Sequence, residues 1–307
     1  MMSTPKHTPI SGRLDDRIAL VTGAASGMGE ATAAALGHAG ATVLVHARSE
    51  QTATDAVVRL RKESPNGNYV PVHADLTTLA GVHELAAAVV TSAPGGINVL
   101  VNNAGAAFST RELTADGVER TIAVNHLAVA ALTDDLLESL LAAAATSGAP
   151  SRVINVSSLI HRRGKPVTDW TYPDGFKQIS SYADSKLLSL MYGYALARRL
   201  DGTGITVNAA NPGSVNTGFG TKSGGLLSFA QKMSTPLLTT PAKGATSSVT
   251  LATDPTLANA TGGYYTKGKP KTSSRKSLDV SAAQEVYAET QAVLRAITRL
   301  GSSSEPG

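Results

Sequence analysis

A chain of 307 residues with 42% hydrophobic but only 4% aromatic residues can bury a large core built from Ala, Val, Leu and Ile, which suits helices packed on a sheet. A net charge of +4 with both signs interspersed argues against a nucleic-acid partner, and the lack of cysteine excludes disulfides, thiolate metal sites and cysteine nucleophiles. No run reaches the apolar length of a membrane span and the first residues hold no apolar signal core, so a cytoplasmic protein without a membrane span is expected.

Residues 1–13 read as a mobile polar leader. Beyond them, short β-rich apolar runs alternate with longer Ala- and Leu-rich segments of helical period, the pattern of βαβ units. Strands are expected at Ile18 to Thr22, Thr42 to His46, Tyr69 to His73, Val99 to Asn102, Arg152 to Ser157, Thr206 to Ala210 and Gly263 to Tyr265. Helices are expected to begin near Gly29, Glu50, Leu79, Asp116, Tyr182 and Ala242, with a last one from Ala282 to Leu300. No composition break divides the run. The expectation is therefore a single-domain, Rossmann-type α/β fold over residues 14–300, a doubly wound parallel seven-stranded sheet with helices on both faces, followed by a mobile tail at 301–307. Two lid insertions interrupt the alternation, at about 161–181 and 217–241, each after a strand C-terminus, where open α/β sheets bind ligands. The basic run Lys267, Lys269, Lys271, Arg275 and Lys276, without aromatic residues for base stacking, reads as a solvated loop.

The first strand runs into Gly23, Ala24, Ala25, Ser26, Gly27, Met28 and Gly29, then into an Ala-rich helix. Glycines at a strand-to-helix turn let the backbone approach a pyrophosphate whose charge the helix N-terminus favours. The spacing is G-x3-G-x-G rather than G-x-G-x-x-G, so a plain tight turn is the competing reading. At the end of the second strand no carboxylate precedes Glu50, whereas Arg48, followed by Ser49, suits a ribose 2′-phosphate. That favours NADP(H) over NAD(H), against the alternative of an arginine solvated in its loop.

Tyr182 and Lys186, four residues apart, share one helix face. A phenol with an ordinary pKa of about 10 is a poor acid or base at neutral pH, and a neighbouring ammonium favours phenolate. Alone, the pair reads equally as a surface tyrosine beside a solvated lysine. Ser158, after the fifth strand, adds a hydroxyl suited to a substrate carbonyl.

In this order the motifs resemble the short-chain dehydrogenase/reductase family over nearly the whole chain. The resemblance rests on TGAASGMG at Thr22 to Gly29, Asp75 and Leu76 after the third strand, NNAG at Asn102 to Gly105, and Asn125. It continues with Ser158, the Tyr182/Lys186 pair, and Asn211, Pro212, Gly213, Ser214, Val215, Asn216 and Thr217. It implies that Tyr182 transfers the proton, that Lys186 holds the nicotinamide ribose and depresses the tyrosine pKa, and that Ser158, rather than Ser157, orients the substrate oxygen. Asn125 would position a water linking Lys186 to solvent. The implied cofactor contacts are Gly23, Ser26, Gly27, Met28, Gly29, Arg48, Ser49, Asp75, Leu76, Asn103, Ala104, Gly105, Tyr182, Lys186, Pro212, Gly213, Val215 and Thr217. A homodimer or homotetramer is implied as well, through helices at about Asp116 to Ala145 and Tyr182 to Leu200. The long spacing from Ser158 to Tyr182, Ala47-Arg48, His161, Lys186-Leu187 and Gly263-Tyr264-Tyr265 resemble the retinol-dehydrogenase-like branch, whose members use NADP(H) on apolar carbonyls and alcohols.

Trp170, Tyr172, Phe176, Leu226, Leu227, Phe229 and Met233 in the two insertions suit a bulky apolar pocket, or simply anchor their loops. His161, Arg162 and Arg163 either meet an acidic substrate group or are solvated. No His, Asp or Glu cluster has metal-ligand spacing, so no metal is expected. The leading expectation is an NADP(H)-dependent enzyme interconverting a bulky apolar ketone or aldehyde with its alcohol. Alternatives are an enzyme of the same fold with net non-redox chemistry (dehydration, epimerisation, cyclisation) and a nucleotide-sensing binding protein.

Overall fold

The computed structural model describes residues 8, 10–213 and 240–302. The strands β1 (Ile18–Val21), β2 (Thr42–Ala47), β3 (Asn68–His73), β4 (Val99–Asn102), β5 (Ser151–Val156), β6 (Ile205–Asn211), β7 (Tyr264–Thr266) and β8 (Lys269–Pro270) form one sheet in the order β3-β2-β1-β4-β5-β6-β7-β8. The first seven pair in parallel, in register Leu20 with Leu44 and Leu20 with Leu100 at the centre. The expected count of seven is one short. Lys267 and Gly268, both at positive φ, turn the chain back so that Thr266 pairs with Lys269 and Tyr265 with Pro270 in an antiparallel edge strand. Proline is tolerated there because an edge needs no further donor, and the basic run that holds β8 shows no apolar alternation that would have signalled it.

The helices are α1 (Gly27–His38), α2 (Glu50–Glu63), α3 (Leu79–Ser92), α4 (Arg120–Ile122), α5 (Ala128–Asp135), α6 (Leu137–Ser147), α7 (Gln178–Arg199), α8 (Pro241–Thr253) and α9 (Val280–Ser302), with a π-helical turn at Ala123–Leu127 joining α4 to α5. Ser49 and Thr78 cap α2 and α3 by accepting from Thr52 N–H and Gly81 N–H. The helix expected near Asp116 begins at Arg120 instead. Glu119 is fully buried and its carboxylate accepts from the N–H groups of Thr121 and Ile122, which fixes the start by capping.

Side chains of β1 alternate between two cores. Leu20 joins Leu44, Leu85, Ile122, Leu187 and Tyr192 on one face, while Ala19 and Val21 join Leu36, Val43, Leu60 and Leu251 on the other, the signature of a sheet covered on both sides. α7 is buried along most of its length because α9 lies over it. Tyr287 stacks on Tyr192 at 5.3 Å, and Asp134 accepts from Tyr192 Oη at 2.9 Å and Gln291 Nε2 at 2.6 Å. The side of α7 that carries Tyr192 is thus covered by this chain's own last helix. At the other end Thr8 Oγ1 donates to Ala242 and Ser11 N–H to Thr253 Oγ1, so these leader residues are seated against α8. Among the described residues no helix is long and apolar enough to cross a membrane.

Candidate active site

Strand order reverses between β1 and β4, opening a crevice at their C-terminal ends. There the Thr22 hydroxyl accepts from the N–H groups of Asn103 and Ala104, both at 2.9 Å, and Asn103 Nδ2 donates back to Thr22 O at 2.7 Å. This lashes the glycine turn to the NNAG strand end. A Cβ on Gly29 would lie 2.2 Å from Gly23 O, so α1 approaches the turn as closely as it does because that residue has no side chain. Ser26, the residue before α1, makes no side-chain cap, which leaves the amides of Gly27, Met28 and Gly29 for a diphosphate. Gly105 closes the NNAG strand end beside Asn125 and Lys186. A Cβ there would stand 3.0 Å from Asn125 Oδ1 and 3.4 Å from Lys186 Nζ, so its bareness keeps the approach to the lysine open. These residues fit a nicotinamide dinucleotide laid across the crevice.

At the neighbouring strand ends Arg48 is exposed and follows β2 directly. Ser49 spends its hydroxyl on Thr52. Asp75 is exposed with Oδ1 accepting from Thr77 N–H, and Leu76 sends its side chain into the core, so it can meet a ligand only through its backbone. Pro212 and Gly213 follow β6, and Gly213 N–H donates to Asn211 Oδ1. Val215 and Thr217 lie outside the described residues.

The chemistry centres on α7, which starts at Gln178, a turn before Tyr182. Lys186 is buried; its Nζ donates to Val156 O at 2.9 Å and lies 6.0 Å from the Tyr182 ring centroid. Desolvation pushes the lysine down to about 8. Burial pushes Tyr182 up to about 12, with a hydrogen bond from Ser158 pulling the other way. In the protein by itself the loss of water around the phenol outweighs the pull of Ser158. Ser158 Oγ faces Tyr182 and caps the short 3-10 helix Leu159–Arg163 by accepting from Ile160 N–H. Ser157, in contrast, is buried beside a small cavity shared with Ser189, Tyr194 and Asn208. The π turn places Asn125 so that its amide both donates to Ala106 O and accepts from Ala106 N–H, at 2.8 Å each, and donates to Ser185 Oγ. Its side chain holds the loop after Gly105 against α7. Among the described residues no cluster of three metal-ligating side chains occurs.

The family model described as short chain dehydrogenase matches residues 17–224. The chain belongs to that family. The similar proteins include retinol dehydrogenase 14 of Mus musculus, 32% identical over 300 residues, covering 90% of this chain and 85% of the relative. The chloroplastic short-chain dehydrogenase TIC 32 B of Brassica napus is 31% identical, covering 88% and 86%. Among solved structures, the angucycline C-6 ketoreductase LanV with bound NADP superposes with a TM-score of 0.65 at 27% identity, over 85% of this chain and 97% of that one. The likeness to the retinol dehydrogenases places this short-chain dehydrogenase in the branch that its serine-to-tyrosine spacing resembles.

That long spacing is built into this short-chain dehydrogenase as a packed strap. Asp184, buried two residues after Tyr182, accepts from Lys165 N–H at 2.7 Å and from the Tyr172 hydroxyl. Ser181 Oγ donates to Glu119 at 2.6 Å. Trp170 is a core residue rather than a pocket wall: it packs edge-on against His126 at 5.0 Å and donates from Nε1 to Val167 O. Tyr172 and Phe176, in edge contact at 6.0 Å, stay partly exposed. Leu226, Leu227, Phe229 and Met233 lie outside the described residues. His161 meets no substrate group either. It is fully buried, with Nε2 accepting from Ser274 N–H and Nδ1 therefore donating to Ser158 O at 2.6 Å. Arg162 turns to Thr272 O. Residue patterns did not reveal these roles of Thr22, His161 and Glu119, since threonine, histidine and glutamate at such positions read the same whether they face water or a partner distant in sequence.

Proposed function

We propose that this short-chain dehydrogenase is an NADP(H)-dependent oxidoreductase interconverting a ketone or aldehyde with its alcohol on a fairly bulky apolar substrate. The observation that carries the reading is the meeting of Tyr182, Ser158 and buried Lys186 beside Gly105, at the open end of a crevice begun by the glycine turn. NADPH, when bound, supplies the hydride and, once oxidised, a positive ring. The chain's own residues do the rest. Ser158 orients the carbonyl oxygen, Tyr182 gives its phenolic proton to that oxygen as the alcohol forms, and Lys186 supplies a fixed charge beside the resulting phenolate. A merely sensing protein would have no use for a protonated phenol held at about 12 against a substrate-facing serine.

The preference for NADP(H) is argued from Arg48, exposed at the end of β2 with no carboxylate beside it to meet a bare ribose hydroxyl. Arg48→Ala is expected to weaken NADPH binding at least about tenfold, as for loss of a charge-assisted pair, and to leave NADH nearly unchanged. Titration of both dinucleotides by fluorescence checks it, and equal losses would remove arginine as the reader of the phosphate. The overall reading is tested by following NADPH absorbance with bulky ketones and aldehydes. Oxidation of NADPH supports it; binding without oxidation across the panel would favour net non-redox chemistry or sensing.

A further inference from the structure

Three strand ends that build the dinucleotide crevice converge on one buried side chain. His46, in β2, is 1% exposed. Its Nδ1 lies 3.1 Å from Gly23 N–H and its Nε2 lies 3.1 Å from Ala74 O. A backbone N–H can only donate and a carbonyl can only accept, so Nδ1 carries the lone pair and Nε2 the proton. His46 O accepts in addition from Ala24 N–H at 2.8 Å. The residue thus holds the glycine turn at two successive amides while its ring reaches across to the end of β3, next to Asp75. Arg48 follows two residues later, just past the end of the same strand.

We propose that His46 is the positioning residue of the coenzyme crevice, the neutral bridge that fixes the pyrophosphate turn, the arginine end of β2 and the adenine side at Asp75 in one arrangement. The inference rests on the reading that the glycine turn holds a dinucleotide. Its physical basis is that the two ring links, to Gly23 N–H and to Ala74 O, need a neutral imidazole of this tautomer. Without Nδ1 the half-buried Gly23 N–H loses the acceptor it has in this turn, and the turn shifts to find another. Without Nε2–H the Ala74 carbonyl loses its donor. A shift of a few tenths of an ångström in the turn moves the amides of Gly27 to Gly29 away from the diphosphate. Burial holds the ring in the required neutral form, pushing it down to about 4; His73 disfavours the charge further and Asp75 acts the other way.

The test compares wild type with His46→Ala and with His46→Phe, which keeps a ring without nitrogens. In either folded variant NADPH is expected to bind about tenfold more weakly, while kcat at saturating NADPH and the KM of the carbonyl substrate stay within about twofold. Millimolar imidazole should restore NADPH affinity to His46→Ala and do nothing for His46→Phe. Affinity within about twofold of wild type in a folded variant, or no recovery with imidazole, would overturn the proposal. In wild type the Gly23 amide should exchange with solvent as slowly as the β1 strand amides; exchange at the rate of an exposed turn would overturn it even if neither variant folds. A wild-type protein that binds no dinucleotide defeats the functional reading itself, whereas normal wild-type binding with unaffected variants defeats the bridge alone.

Discussion

Tyr182→Phe is expected to lower turnover about a thousandfold or more while NADPH binds as before. The substitution removes a hydroxyl and nothing else from a helix whose position is set by many other contacts, among them Ser181 to Glu119 and Asp184 to Lys165. The phenol stands at about 12 in the protein alone. At neutral pH it therefore holds the proton that reduction consumes. Near-normal turnover in this variant, measured as NADPH oxidation, would remove the tyrosine from the chemistry. The lysine adds a pH signature. Its ammonium, held down to about 8 by burial, is present below that pH and lost above it. If the charge beside the nascent phenolate is needed, kcat/KM for reduction falls as pH rises through about 8, since that parameter reports the free enzyme. A profile flat to about pH 9.5 would show that Lys186 acts by position alone.

The parallel sheet was legible because its central strands, β1, β2, β4 and β5, are rich in Val, Leu, Ile and Ala and are separated by helical periods, and burial on both faces demands that pattern. The order of Gly23 to Gly29, Asn102 to Gly105, Ser158, Tyr182 and Lys186 was equally legible, because each follows or opens an element whose end faces the same crevice. What stayed hidden depends on contacts distant in sequence. α4 starts at Arg120 because Glu119 is sealed under Ser181, 62 residues on. His161 points inward because Ser274, 113 residues away, offers it a donor. Trp170 leaves the pocket for the core because His126 gives it an edge. Strand β8 comes from a lysine-rich turn whose composition signals solvent, and its pairing is decided by the backbone at Lys267 and Gly268. The elevated phenol of Tyr182 also escapes a rule based on the neighbouring charge, since burial acts on both members of the pair.

The largest effect on stability is expected in mild acid. His46, His126 and His161 are all buried and all shifted down, to about 4, to about 3 and in direction alone, each chiefly by loss of water. His126 has least room for a second proton. The Thr290 hydroxyl donates to Val286 O, so it accepts from His126 Nε2–H at 3.0 Å, and Nδ1 faces the core with no hydrogen-bond partner. Above the ordinary histidine value of about 6.5 these rings are neutral in folded and unfolded chains alike and the pH has no purchase. As pH falls below that value the unfolded chain takes up protons that the folded one refuses, and the stability difference is lost progressively down toward the folded values. Each tenfold loss of proton affinity on folding corresponds to about 1.4 kcal/mol, so His46 and His126 together remove several kcal/mol, a large share of an ordinary domain's stability. Asp134 opposes them, because burial raises its pKa and the folded chain then binds that proton more readily. Urea denaturation at about pH 7 and about pH 5 should show a drop of at least about 2 kcal/mol, and His126→Phe, which leaves nothing to protonate beside Trp170, should shrink that drop by roughly half. Equal stability at the two pH values would mean that the buried rings accept protons in place, and the tautomers assigned from their partners would then be wrong.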